Sequence, residues 1–167
     1  GIYFEGPYFT EKYKGAQNPS YMKDPSMEEF RAWQKAANGL LNKIALAPER
    51  EGVEEFVRTI TGEGVTVALG HSNATFEEAK KAVDAGASVW VHAYNGMRGL
   101  THRELGMVGA MYELPHTTAE LICDGHHVDP LACDILMKQK GKENVALITD
   151  CMTAGGLEDG DYMLGEF

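Results

Sequence analysis

The chain has 167 residues, 44% apolar and 24% charged, the make-up of an ordinary globular protein long enough to bury one sizeable core. Twenty-five acidic against fifteen basic residues give a net charge of -10, which argues against nucleic acid or an anionic membrane as partner; an anionic small molecule would need local cations to hold it. No apolar run approaches the roughly 20 residues needed to span a bilayer, no signal peptide leads the chain, and three cysteines without C-x-x-C spacing suit free thiols in the cytoplasm.

Ile2-Tyr3-Phe4 reads as a strand ended by Glu5-Gly6-Pro7, which leaves a carboxylate at the strand's end. Residues 8–24 read as a long polar loop containing Lys14-Gly15-Ala16-Gln17-Asn18-Pro19. Loops of that length in compact domains are usually functional or disordered. Residues 26–41 are predicted as a helix, with Ser26 and Glu29 in capping-box spacing and Met27, Phe30, Trp33, Ala37 and Leu40 or Leu41 on one face. Residues 44–47 then read as a buried strand stopped by Pro48-Glu49, and Val53, Phe56, Val57 and Ile60 mark a second helix closing near Gly62.

Residues 65–69 are the next strand, running into Gly70-His71-Ser72. Thr75 and Glu78 repeat the capping-box spacing for a helix closed by Gly86, and residues 88–91 form the strand that delivers His92. From 96 to 115 the pattern is poor, a glycine-rich loop with a short helix after it. Residues 118–123 read as a strand ending in Asp124-Gly125-His126-His127. Asp129-Pro130 supplies an N-cap and first-turn proline for a helix to about Gln139, and residues 144–149 form the last strand, ending on Asp150.

Six strands thus alternate with helices, and most end in Glu, His or Asp. Such alternation gives either an open doubly wound sheet or a closed barrel. The absence of Gly-x-Gly-x-x-Gly after a strand lowers the dinucleotide reading. Polar residues at many strand ends, rather than at one switch point, favour the barrel, whose sites lie at the carboxyl edge. The expected fold is α/β, a partial (β/α)8 TIM barrel with about six of eight strands and the first two missing. It occupies residues 1–158, with the start of a flanking β segment over 159–167. Both chain ends fall mid-pattern, so the sequence reads as a piece of a larger protein.

Glu5, His71 and His92 are a donor set suited to Zn²⁺ or Fe²⁺ with one position left open for water. Such an ion brings the pKa of bound water to roughly 7, and Asp150 is placed to take its proton and pass it to a leaving group. Singly, each residue has a plainer role: a hydrogen-bonded histidine, a turn glutamate, a capping aspartate. Their convergence on one sheet edge is what favours the metal. His126 and His127 are adjacent, so at most one is expected to face the site. Cys151 is a candidate thiol nucleophile whose plainer role is burial, and His102 and His116 read as surface residues.

The runs Phe4-Glu5-Gly6-Pro7, Lys14-Gly15-Ala16-Gln17, Gly70-His71-Ser72, His92-Ala93-Tyr94-Asn95-Gly96-Met97, Asp124-Gly125-His126-His127-Val128 and Thr149-Asp150 follow one another in order. Together they resemble the N-acetylglucosamine-6-phosphate deacetylase family of the amidohydrolase superfamily, over essentially the whole chain. The resemblance implies a metal-dependent barrel that removes acetate from a phosphorylated amino sugar in amino-sugar catabolism. It assigns Glu5, His71 and His92 to the metal and Asp150 to acid–base catalysis. It places His127, Asn95, the backbone at Gly96, Arg103, Ala16 and Gln17 around the substrate, with Arg103 and Asn95 at the phosphate. It implies a homodimer and a small β-sandwich domain, of which only the first residues would be present.

Tyr3-Phe4 departs from the family's usual His-Leu, Gly96 stands where alanine is common, and Cys151-Met152 follows the aspartate. The first-strand His-x-His that binds a second metal in some members is absent, so one ion or two remains open. The rival readings are a deacetylase for N-acetylgalactosamine 6-phosphate, a cyclic amidase, or a non-catalytic metal- or sugar-binding barrel. The isolated piece, with its sheet edges unpaired, is expected to be inactive.

Overall fold

The computed structural model describes residues 1–164. β1 (Ile2–Glu5), β2 (Leu41–Leu46), β3 (Thr66–Leu69), β4 (Val89–Trp90), β5 (Thr118–Ile122) and β6 (Val145–Ile148) form one sheet in that order, every neighbouring pair parallel. α1 (Met27–Ala36), α2 (Val53–Gly62), α3 (Phe76–Asp84), α4 (Gly106–Glu113) and α5 (Pro130–Lys140) fill the connections. A doubly wound sheet reverses its strand order at a switch point; strictly sequential order is the winding of a barrel. The expected partial (β/α)8 fold is present as a curled half-barrel.

The curl has a direct signature. Lys43 on β2 and Glu120 on β5 form an ion pair, although β3 and β4 lie between them. Three strand spacings in a flat sheet would hold their backbones about 14 Å apart with side chains parallel, so the pair closes only because the sheet bends towards that face. The Lys43 ammonium also lies 4.3 Å from the Tyr3 ring centroid.

The two faces of the sheet carry different residues. Ile44, Leu46, Val67, Leu69, Trp90, Ala119 and Leu121 join the helices' apolar stripes in the main core. The concave face holds small Ala45 and Ala68 with Val91, against the ring of Phe9. Its low side-chain volume is what leaves space near the strand ends.

Local chemistry explains where most elements start. Ser26 caps α1 by accepting from the Glu29 amide, Thr75 and Glu78 close a full capping box on α3, and Asp129 with Pro130 starts α5. Three expectations need correction. The first helix stops at Ala36 rather than continuing to Leu41, because Asn38 and Gly39 take left-handed φ values of 51° and 75° and turn the chain. Leu41 instead opens β2 and is buried, while Leu40 is exposed.

The second correction concerns residues 8–24, which are not simply a polar loop. Tyr8 and Phe9 are completely buried, and short 3-10 turns occupy Glu11–Tyr13 and Pro19–Tyr21. Third, β4 is only two residues long, because the chain leaves the sheet early to turn through His92. Of the segment expected to begin a β domain, residues 159–164 carry no strand or helix, and 165–167 lie outside the described residues. No helix among the described residues is long and apolar enough to cross a membrane.

Beside β5, a buried polar cluster ties the helices to the strands. Trp90 Nε1 donates to Thr117 Oγ1 (2.6 Å), which donates to the Leu114 carbonyl (2.6 Å), and Lys140 Nζ donates to both acceptors at 2.8 Å. Thr117→Val should therefore lower stability by about 1–3 kcal/mol in urea unfolding, since it leaves the indole N–H without its acceptor. Burial pushes the Lys140 ammonium down to about 8, below the roughly 10.4 of an unfolded lysine. Between those pH values the unfolded chain binds the extra proton, so stability gains a component that rises with pH. Subtracting the pH profile of Lys140→Met from that of the parent should isolate this rise.

Candidate metal centre

Four strands deliver the chemistry to one edge. β1 ends on Glu5; β3 is followed by Gly70 and His71; β4 is followed two residues on by His92; and Asp150 stands two residues beyond β6. His71 (φ 46°), His92 (φ 30°), Tyr94 (φ 75°) and Asp150 (φ 51°) all adopt the left-handed backbone that non-glycine residues disfavour. Such strain costs on the order of 1–3 kcal/mol per residue and persists only where surroundings enforce it. Three of the four, His71, His92 and Asp150, line one cavity at the strands' carboxyl edge.

Glu5 Oε1 lies 2.9 Å from His71 Nε2 and 3.3 Å from His92 Nε2, and the two Nε2 atoms are 3.0 Å apart. The other ring nitrogens are already committed. His71 Nδ1 donates to the Tyr13 carbonyl at 2.7 Å and His92 Nδ1 to the Asn95 carbonyl at 3.1 Å. A carbonyl can only accept, so each neutral ring carries its proton on Nδ1 and turns an Nε2 lone pair inward.

Three acceptors thus face one another across contact distance, an arrangement that needs a positive charge among them. The separations also suit an ion: ligands about 2.1 Å from a tetrahedral centre sit about 3.4 Å apart. His71 and His92 are buried, at 8% and 3% exposure, so water cannot screen the mutual repulsion. Among the described residues these three form the group of His, Cys, Asp and Glu side chains able to hold a metal ion.

The titration behaviour follows from this crowding. Burial would push the Glu5 carboxyl up, but its contacts with His71 and His92 and their charge overcome that and hold it at about 2. Burial would likewise push His92 down, and the Glu5 hydrogen bond, the Glu5 charge and the Asp150 charge outweigh it, so His92 binds its proton more tightly than an ordinary histidine. The site attracts cations, and protons compete with any metal for it.

A cavity of about 500 Å³ opens over the three ligand atoms, within the range of small-molecule sites. Of the substrate residues expected from sequence, Ala16, Gln17, Asn95, Gly96 and His127 line it, and so does Asp150. His127 Nδ1 contacts Asp124 Oδ2 at 2.7 Å. Asp124 also accepts from the backbone amides of His127 and His126, and these bonds together lower its pKa.

Arg103 is not among the lining residues; it is exposed on the loop between β4 and α4. Among the described residues, no lysine or arginine lines the cavity. Cys151, expected to be buried, is exposed and lines the cavity. His102 and His116 are exposed, as expected of surface residues. Phe9, whose ring lies 4.4 Å from that of His71, and the Tyr13 carbonyl escape sequence reading. A backbone acceptor has no residue signature, and Phe9 sits inside a stretch dominated by polar residues.

No family model matches the chain. It is 47% identical over 167 residues to an N-acetylglucosamine-6-phosphate deacetylase from Vibrio furnissii, covering 100% of this chain and 42% of that protein. It is 45% identical over 164 residues to an N-acetylgalactosamine-6-phosphate deacetylase from Escherichia coli O157:H7, covering 98% of this chain and 43% of that protein. It superposes with a TM-score of 0.95, at 38% identity, on a mutant N-acetyl-D-glucosamine-6-phosphate deacetylase from Mycobacterium smegmatis in complex with N-acetyl-D-glucosamine-6-phosphate. That match covers 99% of this chain and 43% of the other. The chain is homologous to these deacetylases along its whole length. It spans less than half the length of the deacetylases it matches.

Calorimetric titration with Zn²⁺ or Co²⁺ should show saturable binding, and Glu5→Gln, His71→Ala and His92→Ala should each weaken it by at least tenfold. Binding should also weaken as pH falls, because the raised pKa of His92 means its proton must be displaced before Nε2 can ligate. Affinity independent of both the substitutions and pH would show that the ion binds elsewhere.

Proposed function

We propose that this chain carries the metal-binding and acid–base part of an N-acetylglucosamine-6-phosphate deacetylase, which hydrolyses the acetamide to free amine and acetate. The observation that carries the reading is the inward-facing trio of Glu5, His71 and His92 with Asp150 on the wall of the same cavity. The homology supplies the substrate class. Glu5, His71 and His92 would hold one divalent ion, Zn²⁺ or Fe²⁺, both of which suit a carboxylate with two imidazoles. Bound there, it would polarise the acetamide carbonyl and bring the pKa of a bound water near 7.

The chain's own groups do the rest. Asp150 accepts the proton of the attacking water and passes it to the departing nitrogen, because an amine leaves poorly unless protonated. His127 stabilises the oxyanion that develops on the carbonyl. Asn95, the Gly96 backbone, Ala16 and Gln17 seat the sugar. Arg103 is the guanidinium available on the neighbouring loop for the phosphate, which it can grip bidentately. The same reading carries a cytoplasmic homodimer.

Acetate release from N-acetylglucosamine 6-phosphate by the intact protein tests the assignment. Asp150→Asn should lower kcat by about 10²–10⁴-fold with metal affinity retained; turnover unchanged in that variant would remove Asp150 from the chemistry. Arg103→Ala should raise KM for the phosphorylated sugar while leaving kcat near its parent value. A galacto-configured substrate preferred over the gluco epimer would overturn the substrate assignment while leaving the reaction class intact.

A further inference from the structure

Glu49 stands just past β2, where Pro48 has ended the strand, and its position in the sequence suggests only a turn. Its carboxylate nevertheless accepts three hydrogen bonds from distant parts of the chain. Thr10 Oγ1 (2.6 Å) and the Asn73 amide (2.7 Å) donate to Oε1, and Ser72 Oγ (2.7 Å) donates to Oε2. Ser72 Oγ in turn accepts from the Ala74 amide at 2.9 Å, which orients its hydroxyl proton toward Glu49.

These donors flank one metal-ligand candidate on both sides. Ser72 and Asn73 directly follow His71, and the Thr10 amide donates to the His71 carbonyl at 3.0 Å. Thr10 also begins the turn that presents Tyr13: the Tyr13 amide donates to the Thr10 carbonyl (3.0 Å), and the Tyr13 carbonyl accepts the His71 Nδ1 proton (2.7 Å). One carboxylate therefore joins the backbone that carries His71 to the segment that fixes its tautomer. Arg50 reinforces the arrangement by donating from Nε (2.9 Å) and Nη2 (2.5 Å) to the Phe9 carbonyl, and the Phe9 ring lies against His71.

We infer that Glu49 is a positioning residue for the metal centre, acting through His71. The inference rests on the metal-site reading of Glu5, His71 and His92. Bonds to a carboxylate are shorter and stronger than neutral ones, and three of them clamp a turn in which His71 holds a disfavoured left-handed backbone. With both oxygens engaged by donors, Glu49 acts from behind the ligand and is not a fourth ligand. Glutamine cannot replace it, because one side of its amide would present an NH₂ group where an acceptor is needed.

The test uses Co²⁺ as the probe ion in the intact protein, comparing the parent with Glu49→Gln and Thr10→Val. Chelator competition gives the affinity, and the visible absorption of the fully loaded protein reports the ligand field at the ion. Both variants should bind Co²⁺ more weakly, Glu49→Gln by about 10–100-fold, with a changed visible spectrum at saturation. Stability loss alone would lower the melting temperature without altering the spectrum of loaded, folded protein. Affinities within twofold of the parent and unchanged spectra in both variants would overturn the role of Glu49. A parent protein that takes up no Co²⁺ would instead overturn the metal-site reading, and the inference with it.

Discussion

The structure turns on a local electrostatic conflict. A carboxylate oxygen and two imidazole nitrogens, drawn from three strands, face one another at 2.9–3.3 Å, and in the neutral rings the single proton is held on the far side by a backbone carbonyl. Acceptors that face one another with neither proton nor cation between them are costly in a site this buried. A folded chain keeps them together only if something positive belongs among them or if the rest of the fold enforces the arrangement. The second condition is visible here, and it accounts for the left-handed backbone at His71 and His92.

Enforcement comes from two directions. The sheet places the strand ends along one arc, and its curl, pinned by the ion pair between Lys43 and Glu120, brings β1 and the chain after β4 close enough for Glu5 to reach both histidines. The loops then fix orientation. Tyr94, itself left-handed, donates to the Ala132 carbonyl at 2.6 Å and meets the Tyr112 hydroxyl at 2.7 Å, tying the turn that bears His92 and Asn95 to α4 and α5. On the other side Glu49, Arg50 and Thr10 hold the turn that bears His71. The barrel supplies proximity; the hydrogen-bonded turns supply direction.

This division explains what could be read from the residues. Strand and helix positions were legible because period and capping are local: Ser26 with Glu29, Thr75 with Glu78, and Asp129 with Pro130 each start a helix where their spacing says. Glu5, His71, His92 and Asp150 were legible as a set because alternation of strands and helices puts strand ends on one edge. The first helix stops short of Leu41, although Leu40 or Leu41 continues its apolar period, because Asn38-Gly39 turn the chain first. Tyr8 was hidden because it is buried against Trp33 of α1 and Phe56 of α2, and Phe9 because it packs on β2 and β3, all distant in the chain. Glu49 was hidden for the same reason, since its three partners are 23, 24 and 39 residues away.

The charge pattern of the cavity bears on what it can receive. Glu5 and Asp150 are both carboxylates, and among the described residues no lysine or arginine lines the wall. By itself such a cavity repels a phosphate ester, in keeping with a chain whose net charge is -10. A divalent ion among Glu5, His71 and His92 would offset those two carboxylates and make the reacting end close to neutral, which suits an uncharged acetamide. Under the proposed function, the phosphate of the sugar would be met at a distance from the ion, by cations outside the lining residues. Such a charge pattern would orient an extended substrate of the kind proposed above, its neutral amide at the buried trio and its anion away from Glu5 and Asp150.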